Sequence, residues 1–217
     1  MTRFILLVAL AAFTYVGAQA QQDFKPALQK TFLAFDTTMN MEVKVEQSNK
    51  LGLIAQKWKE SWETHYYNAY SKTMLSYMEK KEEKRDAYLD EAEKEMEETI
   101  TILGKENDET HVLEAMIANA RLAVNPMNRW QKFGKIFDDN LAEAKAINPD
   151  NPRIYYLQGT NKFYTPKAFG GGPRNAKPYF EKAQGLFAKE ESNDISKPTW
   201  GSRANEYHLA QCNGDKD

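Results

Sequence analysis

Few residues in this chain are of types that do chemistry, and their spacing gives them little to do together. Three histidines, His65, His111 and His208, lie far apart. None stands at metal-ligand spacing from another, and none adjoins a cysteine, as a zinc site requires. The stretch HVLEA at 111–115 is not the H-E-x-x-H of a metalloprotease, and no G-x-S-x-G marks a serine hydrolase. Asp138 and Asp139 are adjacent, and adjacent carboxylates on a helix point in different directions. No metal, no cofactor and no catalytic cluster is expected, so the chain reads as non-enzymatic.

Other stretches invite a ligand or a partner. Gly170-Gly171-Gly172-Pro173 is a glycine run of the kind that cradles phosphates. A Walker loop needs G-x4-G-K-[ST], and a dinucleotide loop needs G-x-G-x-x-G after a strand. Neither pattern is present, and a turn with positive φ is expected there. The stretch SWETHYYNAY at 61–70 gathers Trp62, Tyr66, Tyr67 and Tyr70. Either it is a platform for stacking a sugar or peptide, or Trp62 and Tyr66, four residues apart, belong to the core. The run KKEEKRDAYLDEAEKEMEE at 80–98 offers a docking site for a basic partner or a solvated helix face held by i,i+4 pairs. Cys212 is the one cysteine. It is a reactive or intermolecularly bridging thiol, or a small half-buried hydrophobe on the last helix.

The elements that position these residues start after a leader. Arg3 precedes an apolar run from Phe4 to Val16, and Ala18-Gln19-Ala20 has the small residues of a cleavage site. Residues 1–20 therefore read as a secretory signal, too short to span a bilayer, which takes about 20 apolar residues. The mature chain, Gln21 to Asp217, is expected to be exported and soluble, periplasmic or secreted, with no membrane insertion after cleavage. It carries 28 basic and 31 acidic side chains, about −3. No field of one sign draws nucleic acid or an anionic membrane.

Ala, Glu, Lys, Leu, Met and Gln fill most segments and favour helix. Nine helices are expected, near 23–35, 40–58, 61–79, 84–103, 108–124, 129–147, 152–164, 175–190 and 200–212. Stops such as NPDNP at 148–152 separate them. Two segments superpose at an offset of 39 residues: Met116 falls on Tyr155, Ala120 on Gly159, Val124 on Phe163, Leu141 on Phe180 and Ala144 on Ala183. Repeated helix pairs at such a period form arrays.

Tyr155, Gly159 and Phe163, followed by Ala176-x3-Phe180-x2-Ala183, resemble the tetratricopeptide repeat family. Leu141, Ala144 and Pro149 match in the preceding unit, where Phe137 departs from the usual alanine. Ala92, Met96 and Gly104 are a faint echo one unit earlier. NPDNPRIYYLQG, YTPKAFGGGP and PTWG look like secreted or periplasmic repeat proteins of the Bacteroidetes group. The resemblance implies an all-α solenoid of helical hairpins in a single domain over 21–217, clearest in 108–149 and 152–190, with a capping helix at 200–212. It also implies that first helices line a concave face, carrying Tyr66, Tyr70, Glu114, Arg121, Arg153, Tyr156 and Tyr207. The function so implied is a scaffold that binds another protein or peptide of the cell envelope. The alternative is a helical carrier of a small ligand, or an enzyme with an unrecognised cavity site.

Overall fold

The computed structural model describes residues 24–190 and 194–214; the leader expected at 1–20 lies outside them. Among the described residues the fold is all-helical and holds no strand. The helices are α1 (Phe24–Thr37), α2 (Met41–Lys57), α3 (Trp62–Met78), α4 (Glu82–Leu103), α5 (Asp108–Val124), α6 (Pro126–Ile147), α7 (Pro152–Tyr164), α8 (Pro173–Phe187) and α9 (Ser202–Gly214). A short 3₁₀ turn, Lys167–Phe169, lies between α7 and α8.

Local chemistry sets these boundaries. Asn40 caps α2 by accepting from the amides of Glu42 and Val43. Asn107 and Thr110 form a reciprocal capping box at the start of α5. Asn151 caps α7 through the Arg153 amide. Pro126, Pro152 and Pro173 each sit in a first turn, where no N–H is needed. That is why α6 starts three residues earlier, and α8 two residues earlier, than the composition suggested.

Consecutive helices pack most heavily in pairs, α3 on α4, α5 on α6 and α7 on α8, and α9 lies on α8. The first helices α3, α5 and α7 touch in succession, so the pairs stack side by side. Gly159 on α7 faces the fully buried Phe180 of α8: a methyl group there would lie 2.7 Å from its ring carbons. The small residues Ala176 and Ala183 flank that ring on α8, both fully buried. The pair therefore closes on a ring seated against bare backbone.

The glycine run is a turn. The amides of Gly170, Gly171 and Gly172 donate to the carbonyls of Lys167, Pro166 and Lys162 at 3.0, 3.2 and 2.8 Å. A loop whose amides are already bonded inward offers none to a phosphate. A β-carbon on Gly171 would lie 2.0 Å from the Thr165 carbonyl oxygen, so a side chain has no room there.

Truncating Phe180 to alanine is expected to cost about 3–5 kcal/mol of stability, as other buried phenylalanines do. Gly159→Ala should destabilise the native protein but cost much less in the Phe180→Ala background, where the ring is gone. Chemical denaturation of the four combinations checks this, and strictly additive effects would contradict the seat described here.

Candidate functional site

Most of the residues expected on an open concave face are buried. Arg153 has 1% of its side chain exposed. It donates to Glu109 Oε1 at 3.2 Å, to Glu190 at 2.7 and 3.2 Å, and to the Pro198 carbonyl. The rings of Phe187 and Trp200 lie 5.5 and 5.4 Å from its guanidinium. Burial opposes its charge, but Glu109 and Glu190 outweigh it and hold its pKa above the ordinary value.

Tyr66 is fully buried, donating to Glu109 and accepting from Trp200 Nε1 at 2.9 Å. Tyr70 packs against Phe32, Phe35 and Trp200, and Tyr67 against Phe32. The aromatic run at 61–70 is thus core and not a platform for stacking ligands. Tyr156 is buried among Trp200, Phe180 and His208. Tyr207 alone of the tyrosines in the set is open to solvent. Side-chain length explains the misplacement: Tyr and Arg read as surface donors, yet each buried one here has its polar end bonded within the fold or ringed by aromatics.

Two of the three histidines are likewise absorbed. His208 stacks on Phe180 at 5.3 Å, and burial pushes its pKa down. His65 bonds Glu95 at 2.6 Å. Burial opposes its protonation, but Glu95 overrides that and raises its pKa. His111 lies beside Asn140 and Glu114.

The charge-dense helix α4 does more than meet solvent. Asp86, Asp90 and Glu93 converge on Arg121 of α5. Arg129 of α6 forms a bidentate pair with Asp86, 2.7 Å on each arm. The Arg129 hydrogen bond is the main reason that Asp86 is pulled down to about 2, against its partial burial. Arg121 therefore locks α5 to α4 and is not open for a partner.

What remains open is a groove between α4 and α6 with α5 as its floor. One part, about 270 Å³, is walled by Met96, Ile100, Ile117, Ala118, Phe133 and Ile136, with Glu93, Glu97, Glu114 and Asn140 around it. It shares Glu93 and Phe133 with a shallower depression of about 520 Å³, lined also by Asp86, Arg121, Arg129 and Lys132. The arginines there are committed to Asp86, Asp90 and Glu93. Lys132 is exposed, pairs with no carboxylate among the described residues, and lies over the Phe133 ring. Met127 and Trp130, at the start of α6, are largely exposed. The arrangement is a trough that is apolar in its narrower part and charged in its wider part, where Lys132 is the cation not paired with a carboxylate. It suits a flat apolar ligand bearing an acidic edge. Of the expected set, Glu114, half-buried at the rim, and the ion-paired Arg121 line the trough.

In three dimensions this chain is similar to the HusA haemophore from Porphyromonas gingivalis, at 30% sequence identity and a TM-score of 0.74, covering 88% of this chain and 93% of that one. The chain belongs to the HusA haemophore family. No protein-family model matches it, so membership of the tetratricopeptide family is not established by the paired helices. No curated protein matches it. A haemophore carries a small ligand, so kinship to HusA corrects the expectation of a protein-binding scaffold and favours the alternative, a helical carrier. The trough also lies elsewhere than the expected face: it is walled by second helices, α4 and α6, and not by a row of first helices.

Among the described residues no helix is long and apolar enough to cross a membrane.

The Asp86 pairs give a pH signature. A carboxyl held at about 2 in the fold, against 3.8 ordinarily, contributes stability above its unfolded pKa and loses it as pH falls towards 2. Asp86→Asn is therefore expected to lower the melting temperature at pH 7, with the gap to the parent closing between pH 4 and 2. A gap independent of pH would contradict a charge-based role.

Proposed function

We propose that the protein is an exported, non-catalytic carrier of haem or a closely related porphyrin. The observation that carries this reading is the 30% identity to a haemophore over nearly the whole of both chains. The trough supplies a place for the ligand. A porphyrin is a flat apolar disc with two carboxylates on one edge. Ile100, Ile117, Phe133 and Ile136 offer a dry wall for the disc, and Lys132 offers a cation for the edge. A charged side chain on a mobile stem at a trough mouth draws an anionic ligand without the desolvation that burial would impose. The helix pairs are read as diverged tetratricopeptide units, on the strength of the Gly159–Phe180 seat.

Haem titration of the natively exported chain, whose intact mass should begin at Gln21, tests the proposal by absorbance and tryptophan quenching. Saturable binding is expected. Phe133→Asp should weaken it at least tenfold, about 1.4 kcal/mol. Lys132→Glu should weaken it in a way that high salt reduces. Absence of saturable binding would overturn the carrier reading. Affinities of both variants within twofold of the parent would place the ligand outside this trough.

A further inference from the structure

We propose that Glu106, His111 and Glu114 form a binding site for a divalent transition-metal ion at the end of the trough away from Lys132. The sequence expects no metal here, because the ligands come from a loop and two turns of α5 and match no known spacing. The fold nevertheless places one ligand atom from each within 4.8 Å of the other two.

The imidazole is oriented for the task. His111 is 9% exposed. Its Nδ1 lies 2.9 Å from Asn140 Oδ1. The Asn140 amide nitrogen donates to the Ile136 carbonyl at 3.1 Å, which turns Oδ1 towards the histidine. Nδ1 thus carries the proton and donates it to Asn140. Nε2 is the ring nitrogen left facing Glu106 Oε2, at 3.8 Å. Fixing one ring nitrogen by an outer hydrogen bond, so that the other is left as a ligand, is how protein metal sites orient histidine.

The charges also ask for a cation. Glu114 Oε2 lies 3.5 Å from Nδ1, and the two carboxylates converge with the imidazole. Zinc bonds nitrogen and oxygen ligands at about 2.0–2.2 Å. Reaching that distance needs only the exposed Glu106 and the half-buried Glu114 to turn, since His111 is already held. One nitrogen and two carboxylates suit zinc, cobalt, iron or manganese, with zinc bound more tightly than manganese. Three protein ligands leave a coordination position to water or to a second molecule.

Calorimetric titration of the haem-free chain with zinc chloride is the test, with the visible spectrum of bound Co²⁺ as a second readout. One ion per chain is expected, with Co²⁺ bands of an ordered site. Glu106→Gln, a surface change that spares the fold, should weaken zinc at least tenfold, and His111→Ala should weaken it at least as much. Asp139→Asn, outside the cluster, should leave it unchanged. Two results overturn the proposal: no zinc binding by the parent chain, or zinc binding by Glu106→Gln within twofold of the parent. Because haem is absent, neither result bears on the porphyrin reading.

Discussion

A buried guanidinium must be neutralised by the fold around it, and Arg153 imposes that demand at the centre of this molecule. Its partners come from distant parts of the chain: Glu109 at the start of α5, Glu190 just beyond α8, and the Pro198 carbonyl in the segment before α9. Removing one partner of a buried pair typically costs about 3–5 kcal/mol, because the remaining charge stays uncompensated. The same segment is held again by Tyr67, whose hydroxyl donates to the Lys197 carbonyl at 2.8 Å, and by Trp200 on Tyr66. The described residues 194–201 before α9, which form no helix, thus become a strap across α3 and α7. α5, joined to Arg153 through Glu109, is also the floor of the trough.

The second layer of charge works at the surface of the same helix. Arg121 and Arg129 tie α5 and α6 to the acidic face of α4. These pairs set the spacing of the two helices that wall the trough. They also consume most of the charge at its wider end, which leaves Lys132 as the cation presented to a ligand. At that end of the trough ion pairs, and not apolar packing, define the contact between the helices.

The helices were legible because periodicity and punctuation agree along the chain. Pro152 announces the start of α7, and Ala176, Phe180 and Ala183 announce a face, whereas the sequence pattern places the starts at Pro126 and Pro173 three and two residues late. The site was much less so. Arg153, Tyr66, Tyr70 and Tyr156 have the residue types of a binding surface, and only the fold reveals that their polar ends are bonded inside. The trough had a weaker signal that went unread: Phe133, Ile136 and Phe137 give α6 an apolar stripe wider than one neighbour needs. The cluster of Glu106, His111 and Glu114 was hidden because a loop residue completes it. Function was hidden most of all, since stacked helix pairs serve scaffolds and carriers alike; kinship to a haemophore, not pattern, turned the reading.

The central claim is that a porphyrin lies against the wall formed by α4, α5 and α6. Methyl-resolved NMR with diamagnetic gallium protoporphyrin reads this directly, because the macrocycle's ring current shifts nearby methyl signals. The account predicts large shifts for Met96, Ile100, Ile117 and Ile136, and small ones for Ile54 of α2 and Ile154 of α7. Large shifts at Ile54 or Ile154, with the four trough methyls unmoved, would contradict it.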